Sequence, residues 1–398
     1  MAAPPTYPQS ARGVLVGFMA LLYAVQAATG NPGLAYVPVA AYLTHQLGFS
    51  AAQLAGFQAT VLLPWVTKPL WAMLVDGWSG LGDRTKGILA LCFSVMVAGF
   101  GLLSLVPQPT VGGLLVGLSA ISIAVAVSDV VADRWMVIEG QRHQRENVYQ
   151  AAQWVGWGCT AVAMFLGGGW LADRIPLHQV FGLSAVIPAI ALLLVAWKLP
   201  ETSGDRPGQQ ASWRRLRNAL RQPDLRRVLG LVVLIHLSPL PIDYLYQVQD
   251  LGFENSLVGQ LKAVESVGTA LGALGFGLWA WRSPRLPLLS LAILGQVGAM
   301  LSLAGLADAS SAYGVYLLRG IFSIVSFLGL FGRVVAVCPP QAAGASYALL
   351  VSASNLAVSL GAVAGGTLYD IGLPFRGVAL VSAGYTLLVG LWLKGHHR

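Results

Sequence analysis

The stretch VGGLLVGLSAISIAVAVSDVVADRW, from Val111 to Trp135, decides the fold of this chain. Up to Ser128 it contains no charged side chain, and an α-helix of about 20 apolar residues is long enough to cross the ~30 Å hydrocarbon core of a bilayer. Its end then carries two carboxylates and a guanidinium, on Asp129, Asp133 and Arg134. The stretch therefore predicts a transmembrane helix, and the ions at its end require an explanation.

The whole chain has the composition of a membrane protein. Of its 398 residues, 56% are hydrophobic and only 10% are charged, and its mean hydropathy is +0.68. A soluble domain carries about 25% charged residues, so this chain has too few polar side chains to cover a surface that faces water. We therefore predict an all-α membrane protein with many spans.

Twelve apolar runs of transmembrane length follow one another along the chain. We place them at residues 13–44, 52–76, 87–106, 111–138, 148–171, 178–198, 228–248, 256–281, 286–306, 312–337, 343–368 and 376–394. With the N-terminus in the cytoplasm, seventeen of the 24 Lys and Arg residues fall in cytoplasmic segments, as the positive-inside rule requires. We expect a multi-pass protein of the inner (plasma) membrane with both termini in the cytoplasm. The net charge of +8 then reflects topology rather than nucleic-acid binding.

The chain divides into two halves that resemble each other. Residues 1–199 and 228–398 each contain six predicted spans, and residues 200–227 form a basic cytoplasmic linker between them. The segment LGFSAAQLAG, which begins at Leu47, has its counterpart in LGFENSLVG, which begins at Leu251. Two six-helix bundles of this kind are typical of the major facilitator fold, in which the solute site lies between the halves near the membrane midplane.

Ionisable side chains lie deep inside several predicted spans. Each ionised group near the bilayer centre costs on the order of 3 kcal/mol on insertion scales, so such groups are retained where they have a function or a partner. We predict that the following residues bind the solute or carry a coupling proton: Lys68, Asp129, Asp243, Lys262, Glu265 and Arg319. Lys262 and Glu265 are three residues apart and can also pair on their own helix, which leaves a purely structural role open for them.

Polar and aromatic side chains on other spans predict a water-filled cavity. Gln153 and Trp157 share a face of the fifth span, and Asn355 lies between two serines on one face of the eleventh. The segment HLSPLPIDYLYQ, which begins at His236, contains two prolines that interrupt the seventh span close to Asp243. Broken helices at membrane depth are tolerated where the freed backbone faces protein or water. For each of these polar residues taken singly, a hydrogen bond between helices is the alternative explanation.

Two segments of the first half resemble known proteins. They are LPWVTKPLWAMLVDG, from Leu63 to Gly77, and SDVVADRWMVIEG, from Ser128 to Gly140. Both are similar to the folate–biopterin transporter family, a branch of the major facilitator superfamily. The resemblance implies that these positions match functional positions of the family: Lys68, Asp76, Asp129, Asp133 and Glu139.

The loop DGWSGLGDRTK, which begins at Asp76, resembles the acidic-then-basic motif that major facilitator proteins have between their second and third spans. This resemblance implies a conformational latch, in which Asp76 and Arg134 pair in one state and separate in another. Ordinary pairing at the membrane surface is the alternative. We assign a gating role to these charged residues near cytoplasmic helix ends: Asp76, Arg84, Asp133, Arg134 and Arg333.

These features predict a secondary transporter that moves a small organic solute, such as a folate- or pterin-like anion, by alternating access in symport with protons. Another solute, such as a muropeptide-like sugar peptide or a lipophilic drug, fits the same residues, and a transport-inactive membrane assembly factor is the alternative outside transport. The sequence contains no Walker, HExxH or GxSxG motif, so we expect neither an ATP-driven pump nor an enzyme. The expected partners are the solute, protons and membrane lipid, without a cofactor, a metal or a required oligomer.

Overall fold

The computed structural model describes residues 9–30, 33–77, 84–143, 146–198, 217–218, 220–282, 287–337 and 343–396. Helices predominate throughout these ranges. By its internal contacts the chain forms two compact units. The first unit contains residues 1–38 and 70–209, and the second contains residues 39–69 and 210–398.

The helices lie where the sequence predicts spans. In the first half they are α1 (Gln9–Thr29), α2 (Tyr36–Ala41), α3 (Ala51–Val66), α4 (Lys68–Gly77), α5 (Arg84–Ser104), α6 (Val111–His143), α7 (Glu146–Ala172) and α8 (Leu177–Lys198). In the second half they are α9 (Pro223–His236), α10 (Asp243–Leu245), α11 (Asn255–Arg282), α12 (Leu288–Ala304), α13 (Ala309–Val337), α14 (Ala343–Asp370) and α15 (Phe375–His396). α2 and α10 each continue into a π-helical turn. α9 begins inside the predicted linker, of which residues 200–216 and 219 lie outside the described ranges.

Six of the described helices contain a segment long and apolar enough to cross a membrane. These segments are Lys86–Ser104, Val111–Asp133, Leu177–Trp197, Ala309–Phe331, Ala348–Asp370 and Phe375–Leu393. Two further apolar helices, Gly17–Thr29 and Leu288–Ala304, are shorter. These lengths agree with the predicted all-α membrane architecture, and the total of twelve spans stays a prediction.

The first unit has its core between five helices. α1 packs against α6, α7 and α8, and α5 packs against α6 and α8. Phe93, Met96 and Phe181 are wholly buried between them, and the ring centroids of Phe100 and Phe181 lie 6.3 Å apart. This packing holds α1 against the part of α6 that carries Asp129.

The second unit has a larger core. α13 packs against α11 and α12, α14 packs against α3 and α9, and α15 packs against α12. Buried apolar residues join α9, α12, α13 and α14, among them Val232, Ile235, Ala292, Leu330 and Leu350. The arrangement places α11 and α13 side by side, and these helices carry three of the residues predicted to bind the solute or a proton: Lys262, Glu265 and Arg319.

Candidate functional site

Four of the predicted charged residues form one cluster in the second unit. Lys262 Nζ, on α11, lies 2.8 Å from Asp243 Oδ2 on α10 and 3.2 Å from Glu265 Oε2 on its own helix. Arg319, on α13, contacts the same two acids, with Nη1 2.6 Å from Asp243 Oδ2 and Nε 3.3 Å from Glu265 Oε1. The expected pairing of Lys262 with Glu265 is confirmed, and each also has a partner on another helix. With two cations and two carboxylates, this four-charge cluster has a formal charge of zero.

Two neutral residues complete the four-charge cluster. The Tyr316 hydroxyl donates to Asp243 Oδ2 at 2.6 Å, and Gln247 Nε2 donates to the Tyr316 oxygen. Both residues are wholly buried, and the Lys262 ammonium lies 5.3 Å from the centroid of the Tyr316 ring. Our sequence-based prediction omits both. Tyr316 could have been found, because it lies three residues before Arg319 and therefore shares a face of α13 with it.

Prolines explain how Asp243 reaches this cluster. Pro239 and Pro241 have no backbone N–H to donate, so two such residues close together remove two hydrogen bonds that a continuous helix would need. α9 accordingly ends at His236, and the chain turns helical again at Asp243. The predicted break in the seventh span is confirmed, and it places a carboxylate at the first residue after the break.

Glycines of α14 cover the backbone of this broken segment. The Leu240 N–H donates to the Gly361 carbonyl at 2.9 Å, which satisfies one of the freed backbone groups. A Cβ at Gly361 would overlap the Ser238 carbonyl, and a Cβ at Gly365 would overlap the Leu240 carbonyl. Only residues without a side chain allow α14 to approach the broken segment this closely.

In the first unit, Asp129 and Asp133 lie on one face of α6, as their spacing of four residues predicts, and both contact α1. Asp129 Oδ1 accepts from Gln26 Nε2 at 2.8 Å, and Asp133 Oδ1 accepts from the Tyr23 hydroxyl at 2.7 Å. Asp129 is deeply buried, with 3% of its surface exposed. The amide of Gln26 is neutral and contains both a donor and an acceptor, so it can hydrogen-bond a carboxylate or a carboxylic acid.

The predicted polar and aromatic face of α7 is described in part. Gln153 is buried, and its Nε2 has no hydrogen-bond partner among the residues that the structure describes. A buried donor left unpaired costs about 1–3 kcal/mol, so its retention agrees with a role in binding. Trp157, about one turn further along, is half-buried.

Lys68 is the first residue of α4, at a second break, which separates α4 from α3. It is buried, and its Nζ lies 5.8 Å from the centroid of the Trp65 ring. Pro69 has no N–H to donate to the Trp65 carbonyl one turn earlier, and the Ser352 hydroxyl of α14 donates to that carbonyl at 3.3 Å instead. Asn355, one turn along α14 from Ser352, is half-buried.

The other predicted positions are divided between the two units or are untested. Asp129 belongs to the first unit, and Lys68 and the four-charge cluster belong to the second. Arg333 is exposed on α13. For four of the predicted positions the structure describes the helix but not the side chain, so the latch stays a prediction: Asp76, Arg84, Arg134 and Glu139. Within the described ranges, no group of three or more His, Cys, Asp and Glu side chains could hold a metal ion.

A contact that sequence reasoning missed joins α14 to α3. The carboxylate of Asp370, the last residue of α14, accepts from Ser50 Oγ at 2.7 Å, from Ala51 N at 3.0 Å and from Ala52 N at 2.9 Å. These donors lie at the N-terminus of α3, where the helix dipole favours an anion. We name this contact the α3–α14 clasp. The capping box of Ser50 and Gln53 can be recognised in the sequence, but no local pattern identifies the distant Asp370 as its partner.

Comparison with known proteins gives a family and a relative. The model of the BT1 family matches residues 29–386. The folate-biopterin transporter of Synechocystis sp. is 25% identical over 360 residues, which cover 84% of this chain and 71% of that protein.

Several solved structures share the fold. The nucleoside transporter NupG superposes with a TM-score of 0.75 at 13% identity, over 97% of this chain and 98% of that chain. A POT family transporter in complex with 5-aminolevulinic acid gives a TM-score of 0.75 at 12% identity, over 96% of each chain. A bacterial homologue of the human lysosomal transporter Spinster gives 0.60 at 16% identity, over 98% of this chain and 96% of that chain. At these identities the likeness shows the fold alone, which is the predicted major facilitator fold.

Proposed function

This chain belongs to the BT1 family and is a membrane transporter, and on that premise we propose that it moves a small organic solute by alternating access in symport with protons. A folate- or pterin-like anion is the proposed solute, because the similar protein of Synechocystis sp. is a folate-biopterin transporter. The distribution of Lys and Arg favours an orientation with both termini in the cytoplasm, and the plasma membrane is the proposed location.

The four-charge cluster is the observation that supports the proposal most strongly. Each ionised side chain at membrane depth costs about 3 kcal/mol on insertion scales, and well-packed apolar residues often replace buried ion pairs without loss of stability. Stability alone therefore does not explain why two acids and two bases meet here. Their side chains keep between 12% and 20% of their accessible surface, which supports contact between this cluster and a small polar solute.

We assign the coupling proton to Asp129 rather than to Glu265. In the four-charge cluster Glu265 balances one of two cations, and a proton added there would leave a net positive charge in apolar surroundings. Asp129 accepts from Gln26, whose amide can donate to a carboxylate or accept from a carboxylic acid. Asp129 therefore keeps a hydrogen bond in both protonation states, which a proton carrier requires.

The experiment is folate transport into proteoliposomes that contain the purified protein. We expect labelled folate to accumulate when the lumen is alkaline relative to the outside, and a protonophore to abolish this accumulation. Asp129→Asn should abolish gradient-driven accumulation and retain folate counterflow, because exchange of solute needs no net proton movement. Asp224→Asn, in an exposed ion pair with Arg227, is the matched control and should retain both activities.

The outcomes separate the parts of the proposal. Gradient-driven accumulation that survives in Asp129→Asn would show that the proton is carried elsewhere. Counterflow of a muropeptide or a lipophilic drug without counterflow of folate would assign another solute to the same fold. If no solute of any class is exchanged, the transport proposal itself is wrong.

A further inference from the structure

A second concentration of charge lies on the surface, where the predicted linker meets α9. Four arginines fall within eleven consecutive residues, and all four are exposed: Arg217, Arg221, Arg226 and Arg227. Arg227 Nη1 lies 3.4 Å from Asp224 Oδ1, and the other three arginines have no carboxylate partner among the described residues. One carboxylate against four guanidinium groups leaves a formal charge of +3. We name this surface the α9 arginine patch.

Two leucines attach the α9 arginine patch to the body of the second unit. Leu225 is wholly buried in the apolar core that joins α9, α12, α13 and α14, and Leu220 packs against the same core. The Arg221 N–H donates to the Asn218 carbonyl at 3.2 Å, which closes a turn around Leu220. The patch is therefore part of the folded unit rather than of a free linker.

The α9 arginine patch ends where the apolar part of α9 begins. The eight residues after Arg227 are VLGLVVLI, from Val228 to Ile235, and they contain no charged or polar side chain. Val389 of α15 packs against the same core, and Trp392, one turn further along α15, has 55% of its surface exposed. Both features are typical of the boundary between membrane and water, where exposed tryptophan is enriched and flexible arginine side chains reach the headgroups.

We propose that the α9 arginine patch binds the phosphate groups of anionic phospholipids. A guanidinium group binds a phosphate through two parallel N–H donors, and three of the four guanidinium groups are not neutralised by a described carboxylate. The leaflet that faces the cytoplasm carries the anionic lipids, which agrees with the proposed orientation of the chain. A lipid fits better than an acidic polypeptide, because the patch adjoins the apolar part of α9. Bound lipid would hold the start of α9 at the membrane surface.

The lipid beside the α9 arginine patch can be measured locally. A fluorophore would be attached at Asn218→Cys in the full-length protein, with the three native cysteines replaced, and the protein placed in phosphatidylcholine nanodiscs. Quenching by nitroxide-labelled phosphatidylglycerol would be compared with quenching by nitroxide-labelled phosphatidylcholine. We expect the anionic lipid to associate at least about fivefold more strongly, because one arginine at such a surface already contributes a factor of about five. Concentrated salt should reduce this preference, since it shortens the screening length.

Matched pairs of substitutions assign the preference to named side chains. Arg221→Gln with Arg226→Gln removes two charges and should bring the two lipids to within about twofold of each other. Arg221→Lys with Arg226→Lys keeps both charges and should retain at least about half of the preference. Arg174→Gln with Arg376→Gln removes the same charge from exposed positions elsewhere and should leave the preference unchanged. Thermal unfolding would confirm that the three pairs are folded.

Three results would overturn the proposal. Equal quenching by the two lipids in the protein with native arginines would do so, and would favour an acidic polypeptide as the partner. A preference that persists in the folded glutamine pair would assign it to other cations. Loss of the preference in excess glycerol phosphate would identify a site for soluble phosphate esters instead. None of these results depends on transport, so failure of the proposed function would leave this proposal standing, and the reverse also holds.

Discussion

Replacement of Asp370 by asparagine is expected to weaken the α3–α14 clasp by about 1–2 kcal/mol. The carboxylate accepts three hydrogen bonds between 2.7 and 3.0 Å in length. Asparagine keeps one acceptor oxygen and replaces the other with a donor, which would face the N–H groups of α3. At least one bond and the favourable interaction with the helix dipole are therefore lost. A change of this size alters a two-state population by about 5- to 30-fold.

The consequence is measurable if the clasp forms in one of the two alternating conformations and opens in the other. A cysteine introduced by Ala52→Cys, with the three native cysteines replaced, would report opening through its rate of reaction with a membrane-impermeant maleimide. We expect Asp370→Asn to accelerate labelling of the folded protein at position 52 by about tenfold.

The matched control is Asp308→Asn. Asp308 accepts from the Ser311 N–H at 2.8 Å and so caps its own helix, α13, without joining two distant segments. It should lower thermal stability slightly and leave labelling at position 52 unchanged. Unaltered labelling in Asp370→Asn, or equal acceleration in both variants, would refute the assignment of the clasp to one conformation.

Three further results are expected. Gly365→Ala places a methyl group against a backbone carbonyl of the broken segment and should destabilise the protein by about 1–3 kcal/mol in thermal unfolding, whereas Gly384→Ala, which meets no atom within 4 Å, should be neutral. Lys262→Met leaves two carboxylates with one guanidinium and should cost about 3–5 kcal/mol, and adding Glu265→Gln should recover part of that loss. A backbone N–H and two serine hydroxyls lower the pKa of Asp308, so its stabilisation is present at neutral pH and is lost as the pH falls through that lowered pKa. The melting temperature of Asp308→Asn should therefore fall less than that of the unaltered protein upon acidification.

The parts of the fold that depend on local composition could be predicted from the sequence. The apolar run before Asp129 predicts α6 because hydrophobic length is a property of a continuous segment. The break before Asp243 was predictable for a similar reason, since proline lacks its N–H in every context. The pair of Lys262 and Glu265 was visible from its spacing, which is a property of one helix.

The contacts between distant segments could not be predicted in the same way. Spacing identifies the face of α11 that carries Lys262 and Glu265, but it does not show that Asp243 and Arg319 lie opposite that face. In the sequence, Tyr316 cannot be distinguished from an ordinary aromatic core residue. Its role follows only from the carboxylate beside its hydroxyl. The α3–α14 clasp is the extreme case, because Asp370 and Ser50 are 320 positions apart in sequence.

The two attachments of α3 to α14 restrict how these helices can move. Asp370 binds the first residues of α3, and Ser352 binds the Trp65 carbonyl near its other end, about 21 Å away along the α3 axis at 1.5 Å per residue. A slide of one helical turn, about 5.4 Å, exceeds the reach of either hydrogen bond, so both would break together. The two helices therefore either move together as one rigid body or separate completely. No intermediate position, shifted by one turn, would keep either hydrogen bond.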